Sequence, residues 1–158
     1  MHTYRIVVGV DGSEGGARAL AWAVAEAARR GGTVQAVTAW QWADDERAVA
    51  TGVHPGDAEA KARTMLDEAV AVARAGHPDL PVAAEAVRGP SAEVLTAAAA
   101  NADLLVLGSH GHGRIFHAVL GSVAEACVRA ATCPVVVVPA VHPTPPHGRT
   151  VATVSAGT

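Results

Sequence analysis

Gly108-Ser109-His110-Gly111 is followed by nine residues and then by Gly121-Ser122, and this spacing is the part of the chain best equipped for chemistry. The segment follows an apolar run, Leu104 to Leu107, and leads into a helical pattern that reaches about Ala131. In open α/β sheets, ligands collect beyond the carboxyl ends of the strands, where a helix N-terminus offers unpaired N–H groups and partial positive charge to an anion. Glycine at 108 and 111 permits positive φ and lets main chain approach a phosphate oxygen with no Cβ between them. Gly121 and Ser122 open the helix with a bare amide and a hydroxyl. Hydrogen bonds to a charged oxygen contribute about 1.5 to 3 kcal/mol each, so roughly three or four hold a phosphate chain. Backbone donors are needed because Lys61 is the only lysine.

Asp11-Gly12-Ser13 is the second candidate. It stands at the end of an apolar run and before a helical pattern, where it is either an Asx turn that caps the helix or part of the same site. A carboxylate beside a triphosphate requires Mg²⁺ between them, so a functional Asp11 predicts a metal-dependent site. His110, His112 and His117 share a glycine-rich stretch without a nearby cysteine or a helical i, i+4 pair, which argues against zinc. Arg114 lies in the nine-residue stretch and is placed to reach a phosphate. Cys127 and Cys133 read as buried small hydrophobes. Trp22 reads as core of the first helix, and Trp40 and Trp42 flank the carboxyl end of the second strand.

These residues depend on alternating elements for their placement. Tyr4 to Val10 is a β-branched apolar run, and helical spacing follows at Ala17, Leu20, Ala21, Val24 and Ala28 until Gly31-Gly32. Thr33 to Trp40 reads as a strand, and Gln41 to Pro55 as an exposed connection. A long helix runs from Pro55-Gly56-Asp57 to the stop at Gly76-His77-Pro78, with Val82 to Val87 as the third strand. Gly89-Pro90 opens the next helix with Pro90 in its first turn, and that helix ends near Asn101. Leu104 to Leu107 and Pro134 to Val138 are the remaining strands. Strands separated by whole helices require a parallel sheet with right-handed crossovers, an α/β fold. The expected organisation is one domain over residues 1–140 and a mobile tail over 141–158, where prolines and glycines leave little to bury.

Composition narrows the function classes. Of 158 residues half are hydrophobic but only 3% aromatic, which suits a Val, Leu and Ala core beneath helices. The formal charge is −3 and no basic run exceeds Arg29-Arg30, so neither nucleic acid nor an anionic membrane is an expected partner. No secretory signal is visible, apolar runs fall far short of the roughly 20 residues that span a bilayer, and the cysteine pair makes no disulfide framework. A cytoplasmic location is expected.

The spacing G-x-x-G, nine residues, G-S resembles the motif of the ATP-binding branch of the universal stress protein family. The resemblance extends to IVVGVDGSEGGARALAWA at Ile6 to Ala23, ADLLVLGSHGHG at Ala102 to Gly113 and CPVVVVP at Cys133 to Pro139. It implies a doubly wound, five-stranded parallel sheet of order 3-2-1-4-5, with ATP across the carboxyl ends of the first and fourth strands. Asp11 falls on the acidic position near ribose, phosphates or metal. Val10 and Ala39 fall on positions that flank adenine, and Leu107 precedes the loop. Gly108, His110, Gly111, Gly121, Ser122 and Val123 fall on the ribose and phosphate cradle. It also implies a homodimer through Pro134 to Val138, whose apolar edge would otherwise lie exposed.

Two classes of function follow. One is a binding module whose ATP occupancy signals to a protein partner or alters its own assembly. The other is an enzyme that hydrolyses ATP slowly or transfers an adenylyl group. The chain has no Walker A lysine, no SGGxDS loop and no evident catalytic base, which favours the module. AMP or a cyclic nucleotide is a further candidate ligand, because the nine-residue stretch sets the phosphate length.

Overall fold

Alternate residues of the first strand feed two separate cores. In the computed structural model, which describes residues 1–42, 52, 54–111 and 120–140, β1 (Arg5–Gly9) is followed by α1 (Glu14–Arg30) and β2 (Thr33–Trp40). Ile6 and Val8 point to one face, where they pack with Leu20 and Val24 of α1 and with Leu66 of α2 (Pro55–Ala73). Val7 points to the other face and packs with Leu105, on β4 (Leu104–Gly108), and with Val94 and Leu95 of α3 (Ser91–Ala98). Cys127, on α4 (Ser122–Ala130), completes that second core. Period-two alternation on strands buried on both sides is what a parallel sheet between helix layers requires.

The sheet is five-stranded and parallel in the order β3-β2-β1-β4-β5, with β3 at Val82–Arg88 and β5 at Val135–Val138. The winding reverses between β1 and β4, so their carboxyl ends part and leave a notch there.

Local chemistry sets the element ends. Ser13 caps α1, its hydroxyl accepting the Gly16 amide at 3.1 Å, and Gly31 ends the helix in the left-handed region at φ 64°. Gly32 then passes so close to β1 that an added Cβ would stand 2.3 Å from the Tyr4 carbonyl oxygen. Asp57 accepts the His54 amide at 3.0 Å to open α2.

Four expectations are corrected. Pro90 is the N-cap of α3, with extended ψ of 134°, and the first helical residue is Ser91. That helix ends at Ala98, with a turn and not a helix carrying the chain through Asn101. Pro134 precedes β5: it lacks an N–H for the ladder, although its carbonyl accepts the Leu105 amide at 3.0 Å. Trp22 is 38% exposed and not core, because α1 buries the stripe Ala19, Leu20, Ala23, Val24 and Ala27, and position 22 falls on its flank. The expected tail at 141–158 lies outside the described residues, as do residues 43–51 and 53 of the expected connection.

Asp103 fastens the start of β4 to the start of β1. Its carboxylate accepts the Arg5 amide at 2.8 Å and meets His2 Nε2 at 2.7 Å, and these bonds hold its carboxyl below the usual range. A carboxyl group with a lowered folded pKa adds stability above its unfolded pKa and loses it as pH falls through the folded value. The stability difference between the protein and Asp103→Asn in urea melts is therefore full at neutral pH and shrinks steadily below pH ~4. A difference that stays constant from pH 6 to pH 2 would show that the carboxylate charge contributes nothing.

Candidate functional site

The notch between β1 and β4 is a cleft of about 390 Å³, within the usual size for a small-molecule site. Val10, Asp11, Ala39, Leu107, Gly108, His110, Gly111, Gly121, Ser122 and Val123 all line it. Three segments distant in sequence are thereby brought together. Arg114, His112 and His117 lie outside the described residues.

The walls also contain residues that sequence reasoning missed. Val37 and Leu95 extend the apolar floor, and both are buried. Alternation along β2 signals Val37, two residues before Ala39 and on the same face. Ser91 and Leu95 lie one turn apart on α3 and face the cleft together, a signal available once that helix is placed after β3. Trp40 and Trp42 are not among the lining residues; the Arg88 guanidinium lies over the Trp40 ring, 5.8 Å from its centroid.

The loop glycines do not take the positive φ expected of them. Among the described residues, positive φ occurs at Gly12, Gly31, Gly52 and Gly89, and not at Gly108, Gly111 or Gly121. Backbone crowding supplies a reason for glycine at position 108. A Cβ on Gly108 would stand 2.8 Å from the carbonyl carbon and oxygen of Gly15, and one on Gly111 would stand 2.5 Å from Asp11 Oδ2. Gly15 itself would meet the His110 carbonyl at 2.5 Å. Bare backbone lets the start of α1 pack directly on the loop that follows β4.

Asp11 forms the Asx turn and also stands at the cleft. Its Oδ1 accepts the Ser13 amide at 3.0 Å and the Ser13 hydroxyl, which makes the Asx turn, while Gly12 takes φ 79°. The same carboxylate is exposed and lines the cleft beside Gly111. Val10 is held at the floor by its amide bond to the Val37 carbonyl at 2.9 Å.

α4 presents its N-terminus to the cleft. Gly121 is the N-cap, its amide donating to the Ser109 carbonyl at 2.6 Å, and it has no side chain to cap the first turn. The amides of Ser122, Val123 and Ala124 in that turn have no intrahelical acceptors and, with the helix dipole, favour an anion.

Among the described residues there is no group of three or more His, Cys, Asp or Glu that could hold a metal by itself. Burial pushes both cysteine thiols up, Cys127 in the second core and Cys133 half-buried beside it, so neither is an activated nucleophile. No helix among the described residues is long and apolar enough to cross a membrane.

Comparison with known proteins agrees with the geometry. The model of the universal stress protein family matches residues 3–139. Universal stress protein Rv2005c of Mycobacterium tuberculosis is 36% identical over 132 residues, which cover 84% of this chain and 44% of that protein. The chain therefore spans less than half the length of this relative. A crystal structure of a universal stress protein in complex with cAMP superposes with a TM-score of 0.67 at 28% identity, covering 88% of this chain and 98% of that one. The universal stress protein UspA from Lactobacillus plantarum has a TM-score of 0.74 at 21% identity, over 87% of this chain and 99% of that one, a likeness of fold. With its strand order, its cleft at the switch point and a family match over nearly its whole length, the chain belongs to the universal stress protein family.

Proposed function

We propose that the cleft binds an adenine nucleotide, ATP with Mg²⁺, and that the chain is a nucleotide-dependent regulatory module with at most slow hydrolysis. The observation that carries this reading is the uncapped N-terminus of α4 opening on the same cleft as Gly108 to Gly111. In this reading, Val10, Ala39 and Leu107 flank the adenine, joined by Val37. Gly108, His110, Gly111, Gly121, Ser122 and Val123 hold ribose and phosphates, and Arg114 supplies a further phosphate contact. Asp11 fits Mg²⁺ that is held mainly by phosphate oxygens, since it brings one carboxylate and that ion commonly takes one or two. The bound metal would neutralise phosphate charge against this carboxylate.

A similar protein is described in complex with cAMP, which supports a nucleotide and keeps a cyclic one as the second reading. The proposed unit is residues 1–140 with 141–158 as a tail, in the cytoplasm, and it signals to a protein partner. A homodimer forms through Pro134 to Val138. Its four valines are half-buried on an edge strand without charges, an arrangement that invites pairing. Sedimentation at micromolar concentration reads a dimer; monomer alone overturns this part.

Calorimetric titration of nucleotide-free protein with ATP, AMP and cAMP, with and without Mg²⁺, tests the reading. One-to-one ATP binding that weakens when Mg²⁺ is removed is expected. Tighter binding of cAMP, indifferent to Mg²⁺, would transfer the site to the second reading. Turnover of many ATP per protein per second would replace the module with an enzyme.

A further inference from the structure

Ser109 and Thr38 are the buried polar residues among the described residues, and Ser109 is 7% exposed. It stands where β4 ends, and four bonds leave it. Its amide donates to the Val138 carbonyl at 2.9 Å, and its carbonyl accepts the Gly121 amide at 2.6 Å. Its hydroxyl oxygen accepts the Ala140 amide at 3.1 Å and lies 3.1 Å from His110 Nδ1. One residue thus joins the cleft wall at His110, the cap of α4 and the carboxyl end of the edge strand β5.

We infer that Ser109 is a positioning residue that couples the cleft to β5, so that a ligand held against Gly108 to Gly111 fixes the end of the edge strand and the cap of α4 together. Ser109 cannot shift without withdrawing acceptors from the Ala140 and Gly121 amides, and each lost hydrogen bond disfavours the shift. The elements therefore move as one unit. Only the response to ligand rests on the nucleotide reading above; the mechanical tie does not. Because β5 is the strand at which a second copy would pair, occupancy and assembly are linked through this residue.

Amide hydrogen exchange on the full chain tests the coupling. In Ser109→Ala without ligand, the Ala140 amide exchanges about tenfold faster, and the Gly121 amide accelerates with it although its own acceptor, the main-chain carbonyl of residue 109, is retained. Ser109→Thr, which keeps the hydroxyl, restores both. Acceleration at Ala140 alone would make Ser109 a local tie and overturn the coupling. With ATP and Mg²⁺, the wild type slows both amides and Ser109→Ala slows Gly121 only. ATP that binds by calorimetry yet leaves Ala140 exchange unchanged would overturn the coupling, whereas absence of ATP binding would overturn the nucleotide reading and leave the ligand-free comparison to decide the coupling.

Discussion

Gly121→Val is expected to weaken ATP binding by about 100-fold or more while the circular dichroism spectrum stays that of the wild type. The loss corresponds to about two phosphate hydrogen bonds to main-chain donors. Gly121 has φ −69° and ψ 161°, a conformation open to any residue, so valine brings no backbone strain. Its Cβ, however, would stand 3.1 Å from the Ser109 carbonyl oxygen and 3.4 Å from His110 Cα. The neighbours must give way by a few tenths of an ångström, and the two added methyls crowd the approach to the first-turn amides of α4. Gly121→Ala, with a single methyl, is the graded control and loses about tenfold. Both losses are read by calorimetry with thermal melts alongside. If Gly121→Val binds ATP like the wild type, the phosphates do not lie at this helix end.

Leu105→Ala is expected to lower stability by about 2 to 5 kcal/mol, the range for removing a large aliphatic side chain from a core that cannot fully collapse. Leu105 is fully buried, on the strand between β1 and β5, with Val7 and Val135 as its register partners. For a domain of this size the melting temperature falls by roughly 10 °C. The side chain belongs to the second core and does not line the cleft, so the folded variant is expected to match the wild type in the ATP titration proposed above. A change under ~3 °C would mean that this core is loosely packed around position 105.

Hydrophobic periodicity makes most of the elements legible in the amino-acid sequence. The limits of β2, Thr33–Trp40, coincide with those read from its apolar body, because Gly31-Gly32 before it and a polar stretch after it leave no ambiguity. Pro90 differs by one position from its expected place because a fixed φ near −65° suits the first helical turn and the residue before it alike. Strand order is implied by the family resemblance and not by spacing, since alternation shows which residues share a face but not which strands are neighbours.

The sequence by itself determined the succession of strands and helices and the parallel sheet that whole-helix connections demand. These are properties of local periodicity and chain connectivity. Only the tertiary structure decided that Gly108 has no room for a side chain, since the main-chain atoms that crowd it belong to Gly15, far away in the chain. It also decided that Trp22 is exposed and that Ser109 is buried. A helix flank and a turn serine have the same local signature whether solvent or another strand covers them, and packing alone settles which does.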